Sequence, residues 1–300
     1  MPVVIETTNL LKQYGEKAAV DHVNIHVEKG DIYGLIGRNG AGKTSLMRLI
    51  LGLSAPNQGE IRLFDGEKLS ASRSRIGSLI EEPGLYYGKS AFENMKTFSL
   101  LYQNVTDDEI RNLLNRVGLG ETGNKKVKGF SLGMRQRLGL AISLMGHPDL
   151  LVLDEPINGL DPAGIKEIRD LILELNASGV TFMISSHLLD ELGKIATRYG
   201  IMAGGKLVEE ISVDELSERC LQHIAVTVDR REEAVKVLKT AFPDIEIEFG
   251  DSDTELRILS EVEDTSELSR LLVSSGIKLY ALKTQGLDIE DYFLKTMEEK

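Results

Sequence analysis

Apolar and polar positions change period in a regular way along this chain. Val23–Val27 (VNIHV) and Asp31–Gly37 (DIYGLIG) are short runs rich in β-branched residues and read as strands. The second gives way to a glycine-rich turn and then to KTSLMRLILGL, whose Leu and Ile recur at helical spacing. SAPNQGE is a turn cluster, and IRLFDGEKL after it reads as a strand leaving into a hairpin. From Ser90 to about Met145 the pattern is mostly helical, with segments AFENMKTFSLLYQ and TDDEIRNLLNRVGL. Thr106 and Glu109 have the spacing of a capping box for the second of these. LLVLDEP is a buried-strand run that ends in carboxylates. PAGIKEIRDLILELNASG is a helix with Pro162 near its first position and Gly179 as its stop. TFMISSH is another apolar strand with a polar end. Strands alternating with helices predict an α/β fold with a mostly parallel sheet covered on both faces.

The character changes after Gly205. HIAVTV, IEIEF, ELRIL and KLYALK read as strands, REEAVKVLKTAF and TSELSRLLVSSG as helices between them, and DIEDYFLKTM as a last helix. The order β-α-β-β-α-β plus a helix predicts a small α+β domain of the split-βαβ type. Charge moves at the same place. Residues 1–210 hold 26 acids and 24 bases, and residues 211–300 hold 21 acids and 11 bases, out of a net charge of -12. We therefore expect two domains, 1–210 and an acidic 211–300. The acidic second part gives no footprint for nucleic acid, which needs a basic patch. Hydrophobic residues make up 42% and charged residues 27%, which excludes a disordered or collagen-like chain. No apolar run approaches the ~18–20 residues of a spanning helix. The N-terminus has no secretory signal pattern, and a single cysteine, Cys220, points to a reducing compartment.

The strongest chemical signal is Gly37-Arg38-Asn39-Gly40-Ala41-Gly42-Lys43-Thr44, followed by Ser45, between a strand and a helix. This G-x-x-x-x-G-K-[ST] run lets backbone N–H groups wrap a phosphate chain at a helix N-terminus. Lys43 would reach the β- and γ-phosphates and the Thr44 hydroxyl would bind Mg²⁺. Asp154, at the tip of LLVLD, suits a second contact to Mg²⁺, mostly through water. Glu155 beside it would polarise the attacking water as general base. Together these predict a P-loop NTPase that hydrolyses a nucleoside triphosphate.

Further motifs carry a resemblance. Phe130-Ser131-Leu132-Gly133-Met134-Arg135-Gln136-Arg137 resembles the signature of ABC ATPases, with Leu132 and Met134 in place of the common glycine and glutamine. Asn158-Gly159-Leu160-Asp161 resembles the D-loop, and His187 the switch histidine. Tyr14 resembles the aromatic residue that stacks on adenine. Residues 3–210 are thus similar to a whole ABC-type nucleotide-binding domain, with a helical subdomain at about 84–148. In IGSLIEEPGLYYG the family's Q-loop glutamine is replaced by Glu81, or by Glu82 on a one-residue shift. An acid there is similar to ABC ATPases of bacitracin export and lantibiotic immunity.

The resemblance implies ATP and Mg²⁺ as ligands and a homodimer with two composite sites. One protomer presents Lys43, Thr44, Asp154 and Glu155, and the other Ser131 and Gly133. It also implies that separate transmembrane permease subunits dock near Pro83–Leu101, where Tyr86, Tyr87, Phe92 and Phe98 concentrate. The chain would then sit peripherally on the cytoplasmic face of the membrane and power export of a drug, peptide antibiotic or similar amphiphile. An importer ATPase or a soluble ABC ATPase shares the core motifs. A GTPase is disfavoured, since Asn124-Lys125-Lys126-Val127 lacks the base-reading Asp.

Overall fold

A computed structural model describes residues 2–102, 105–220, 223–250, 252–260, 262, 264–285 and 289–298. The chain divides into two compact units, one of residues 1–213 with 296–300 and one of residues 214–295.

In the first unit the strands are β1 (Val3–Tyr14), β2 (Lys17–Val23), β3 (His26–Glu28), β4 (Ile32–Ile36), β5 (Gln58–Leu63), β6 (Ile76–Leu79), β7 (Leu150–Asp154), β8 (Thr181–Ser186), β9 (Arg198–Ala203) and β10 (Lys206–Ser212). The helices are α1 (Lys43–Ile50), α2 (Leu69–Arg73), α3 (Ala91–Phe98), α4 (Asp107–Arg116), α5 (Leu132–Ser143), α6 (Pro162–Ala177) and α7 (Leu189–Gly193). One sheet runs β10-β9-β4-β8-β7-β6. It is parallel from β9 to β6, and β10 pairs antiparallel with β9. Every residue of β4, β7 and β8 is buried, which is why these strands read as unbroken apolar runs rather than alternating ones.

The second sheet of this unit is antiparallel, with β1 paired to β2, β3 and β5. It escapes a pattern-based reading because β1 slips register against each partner and passes through Asn9 at φ 50°. The expected strand Val23–Val27 is divided here. Val23 ends β2, His26 begins β3, and the intervening Asn24 and Ile25 form the corner. Ile25 is buried, and its N–H donates to the side-chain hydroxyl of Thr7 on β1 rather than to a backbone carbonyl. Leu46, Met47, Leu49 and Ile50 of α1 share one core with Ile5, Leu10 and Val27 of the antiparallel sheet and Leu35, Val152 and Met183 of the parallel one.

The expected capping box at Thr106 has its side-chain half, with the hydroxyl accepting from the Glu109 N–H at 3.2 Å. A reciprocal box stands instead at Ser90 and Glu93, at the head of α3.

The second unit continues with α8 (Val213–Cys220), β11 (His223–Val228), α9 (Arg231–Ala241), β12 (Ile247–Phe249), β13 (Glu255–Ile258), α10 (Thr265–Ser274), β14 (Leu279–Gln285) and α11 (Ile289–Glu298). Its sheet is ordered β12-β13-β11-β14 with every pairing antiparallel. Ala234 and Leu238 of α9 and Leu268 and Leu272 of α10 pack with Ile224, Val226, Leu256 and Ile258 of the sheet. This is the split-βαβ arrangement that the strand and helix order implies.

Candidate active site

The sheet order β4-β8-β7-β6 brings four separate stretches of sequence to one edge. Gly37 follows β4, His187 follows β8, Asp154 and Glu155 end β7, and Glu81 lies just beyond β6. Carboxyl ends of parallel strands are where open α/β sheets bind ligands.

The loop from Gly37 to Gly42 is shaped by close backbone approaches. A Cβ on Gly37 would lie 2.5 Å from the Met202 carbonyl oxygen, and one on Gly42, at φ 108°, would lie 2.2 Å from that of Ala19. Only glycine fits either position. The Gly205 N–H donates to the Ala41 carbonyl at 3.0 Å, fastening the loop to the β9–β10 turn. Gly42 caps α1 without a side-chain hydrogen bond. The first-turn N–H groups of α1 therefore keep their donors for an anion, reinforced by the helix dipole.

The loop from Asn39 onward and the first turn of α1 line a cleft of about 380 Å³. Its walls include Tyr14, Asn39, Gly40, Ala41, Gly42, Lys43, Thr44, Ser45, Asp154 and Glu155, together with Lys17 and Ala19, which no motif signals. Lys43 is buried, and its Nζ donates to the Gly37 carbonyl at 2.6 Å and stands 4.0 Å from Glu155 Oε1. The Thr44 hydroxyl donates to Asp154 Oδ2 at 2.7 Å. The Ser185 hydroxyl donates to the other oxygen, Oδ1, of the same buried carboxylate.

Glu155 adopts φ 51°, a left-handed backbone rare for a non-glycine residue. Its N–H holds it there, donating to Ser185 Oγ at 3.0 Å and to the Ser185 carbonyl at 3.2 Å. Its Oε2 is 2.7 Å from His187 Nδ1. With the proton on Nδ1 the ring donates to the carboxylate and leaves Nε2 as an acceptor. The half-exposed Tyr14 ring lies at the mouth of the cleft, with the Lys12 ammonium 5.1 Å from its centroid.

Thr44 and Asp154 supply two oxygens of the hard type that Mg²⁺ takes when phosphates and waters complete its shell. Among the described residues no group of three or more His, Cys, Asp or Glu could hold a metal alone. The donor set therefore fits a cation that arrives with a phosphate ligand.

The remaining motif residues lie outside the cleft lining. Ser131 caps α5, accepting from the Met134 N–H at 3.2 Å, and Asp161 caps α6, accepting from the Gly164 N–H at 3.1 Å. The two loops interlock. A Cβ on Gly133 would lie 2.8 Å from Leu160 Cδ2, and one on Gly159 would lie 2.5 Å from Leu132 Cδ2. Leu132 thus packs on the Asn158–Asp161 loop while staying 40% exposed. Glu81, at φ 58°, pairs with Arg48 of α1 at 2.8 Å, and Glu82 is exposed with no ion pair found among the described residues. Arg38 is exposed beside Asn39 at the rim.

Tyr86 and Tyr87 are about half exposed, and Leu100 and Leu101 more than three-quarters. Phe92 and Phe98 are half-buried, Phe92 under the Arg111 guanidinium and Phe98 6.0 Å from the Tyr86 ring. Asn94, wholly buried, fixes this loop: its Oδ1 accepts from the Tyr86 N–H at 2.8 Å and its Nδ2 donates to the Tyr86 carbonyl at 3.1 Å. No motif marks Asn94. A polar residue on the buried face of an amphipathic helix is its only sequence signal.

Residues 20–158 match a family model described as "ABC transporter". The chain is 40% identical over 299 residues to a bacitracin transport ATP-binding protein, BcrA, of Enterococcus faecalis, covering 98% of this chain and 96% of the relative. It is 46% identical over 212 residues to a lantibiotic transport ATP-binding protein, SrtF, of Streptococcus pyogenes, covering 70% of this chain and 92% of the relative. Among solved structures, an ATP-binding subunit of an ABC transporter superposes with a TM-score of 0.65 at 26% identity, covering 72% of this chain and 92% of the other.

Proposed function

This chain belongs to the ABC transporter family, and on that premise we propose that it is the ATP-binding, ATP-hydrolysing subunit of an exporter of peptide antibiotics such as bacitracin or lantibiotics. The observation that carries the reading is the near end-to-end likeness to a bacitracin transport ATP-binding protein, which runs through the second unit as well as the first. The convergence of the P-loop, Thr44, Asp154, Glu155 and His187 on one strand edge supports the enzymatic half.

In this reading ATP lies in the cleft with its base on Tyr14. N–H groups of the glycine-rich loop and of the first turn of α1, together with the Lys43 ammonium, hold its phosphates. Thr44 and Asp154 would hold Mg²⁺, which when bound would supply positive charge against the phosphates. The Thr44 hydroxyl, which donates to Asp154 here, would give an oxygen lone pair to that cation. Glu155 takes the proton of the attacking water, and His187 fixes the Glu155 carboxylate from its far oxygen. Glu81, paired here with Arg48, would be a further oxygen ligand for that cation as the counterpart of the family's glutamine.

Ser131 and Gly133 stand outside this chain's own cleft, so they serve the site of a second copy. There the N-terminus of α5 clamps the γ-phosphate, with Asp161 beside it. ATP thus holds two copies together, and hydrolysis releases them. Tyr86, Tyr87, Leu100 and Leu101 are exposed apolar side chains that would meet separate transmembrane permease subunits. The chain itself, whose described residues include no helix long and apolar enough to cross a membrane, would be held peripherally on the cytoplasmic face.

The test uses Glu155→Gln and the complex co-purified with its permease. We expect the variant to bind ATP, to lose most turnover and to run as an ATP-dependent dimer. The wild-type complex should hydrolyse ATP faster with bacitracin or a lantibiotic present. A variant that stays monomeric in ATP refutes the shared site, and turnover indifferent to both peptides refutes the cargo.

A further inference from the structure

Ser185 lies on β8, and the parallel register sets it directly across from Asp154 on β7. Its side chain is completely buried, with a relative exposure of 0%. A serine hydroxyl has one proton to give and two lone pairs to share. The proton goes to Asp154 Oδ1, and a lone pair accepts the Glu155 N–H at 3.0 Å. One hydroxyl therefore ties together two neighbouring carboxylate residues. The next residue, Ser186, points to the other side of the strand. It accepts the Leu188 N–H at 3.0 Å and so fixes the turn that carries His187. Of the two serines, Ser185 is the one hydrogen-bonded to the β7 carboxylate.

The consequence lies in which oxygen of Asp154 faces the cleft. Oδ1 is held inward by Ser185, and Oδ2 is the oxygen shared with Thr44. Without the Ser185 proton, Oδ1 would be a buried anionic acceptor with no donor, which is costly. The carboxylate would then turn to draw on the Thr44 hydroxyl with both oxygens, and that is the hydroxyl a cation must win.

We propose that Ser185 is a positioning residue of the ATPase site. It presents Asp154 Oδ2 to the divalent cation and locks Glu155 in the left-handed backbone that places its carboxylate between Lys43 and His187. Ser185 itself is not part of the cleft lining. The inference rests on the metal and base roles given above to Asp154 and Glu155, and it adds the residue that sets their geometry.

The experiment reads binding without turnover. A fluorescent, non-hydrolysable ATP analogue is titrated into the full chain in EDTA and then at rising Mg²⁺, with thermal unfolding recorded for each variant. Ser185→Ala should bind the analogue in EDTA as the wild type does. Its half-maximal Mg²⁺ concentration should rise about 10- to 100-fold, the loss usual when a partner of a metal ligand is removed. Ser185→Thr, which keeps the hydroxyl, should titrate like the wild type. A Ser185→Ala protein with the wild-type Mg²⁺ titration overturns the inference. So does a folded Ser185→Thr that behaves like Ser185→Ala, or an equal loss in EDTA and in Mg²⁺. Asp154→Asn separates the two levels. If it loses the Mg²⁺-dependent tightening while Ser185→Ala keeps it, the metal reading stands and the role of Ser185 falls. If Asp154→Asn titrates like the wild type, the metal reading fails and takes this inference with it.

Discussion

Replacing Tyr14 by alanine gives the sharpest check on how the cleft holds a nucleotide. The side chain stands at the end of β1 with 51% of the residue exposed, and Lys12 engages its ring at 5.1 Å while donating to the Ala55 carbonyl at 2.7 Å. A buried tyrosine covers ~150–250 Å², so about 100 Å² is open here. A planar base laid on one ring face covers roughly half of that, and at ~25 cal/mol per Å² the ring contributes about 1.3 kcal/mol. The covered face of the base adds a similar amount, giving ~2.5 kcal/mol, within the ~1–3 kcal/mol found for base–aromatic stacking. Tyr14→Ala should therefore weaken ATP binding about 10- to 100-fold, at ~1.4 kcal/mol per tenfold. Tyr14→Phe, which keeps the ring, should bind ATP like the wild type. The assay is calorimetric titration with ATP and, in parallel, with inorganic tripolyphosphate, which has no base to stack. Tripolyphosphate should bind all three proteins equally. Undiminished ATP binding by Tyr14→Ala, or an equal loss of both ligands, would refute the stacking argument.

Two further predictions concern acids. The Glu81–Arg48 pair is well exposed on both sides, with side-chain exposures of 61% and 38%, and is worth only ~0–1 kcal/mol, so a competing cation can release it. Glu81→Gln should change the Mg²⁺ dependence of ATP turnover and Glu82→Gln should not; the opposite result assigns the Q-loop role to Glu82. The second prediction is a pH effect on α3. A hydrogen bond from the Lys126 ammonium, then one from the Ser90 N–H, holds the Glu93 carboxyl down from 4.5 to about 2. A pKa lowered on folding stabilises the native state above the unfolded value, and that stability is lost as pH falls through the folded one. The stability difference between wild type and Glu93→Gln should thus be full above pH 4.5 and shrink as pH falls toward 2. A difference in unfolding midpoint that stays constant over that range would argue against the hydrogen bonds from Lys126 and the Ser90 N–H to the ionised carboxylate as its source.

The motifs that define the chemistry are local and were legible in the chain. A phosphate-binding loop needs glycines, a lysine and a hydroxyl within eight positions, because a single loop and helix N-terminus make the contacts. The same is true of the apolar runs that became β4, β7 and β8: strands buried on both faces have no polar side to alternate, so their sequence announces them. The split-βαβ order of the second unit is a matter of element succession, and it too follows from the sequence. Tertiary structure alone decided how these pieces meet. The register between β7 and β8 put Ser185 against Asp154, thirty-one positions away, and the strand order β4-β8-β7-β6 aligned the P-loop, His187, Glu155 and Glu81 on one edge. The antiparallel sheet around β1 and the Asn94 clamp on Tyr86 stayed hidden for the same reason. Such contacts depend on which strands become neighbours and in what register. That is settled by burying the apolar faces of the whole domain at once, a condition that no short stretch of sequence contains.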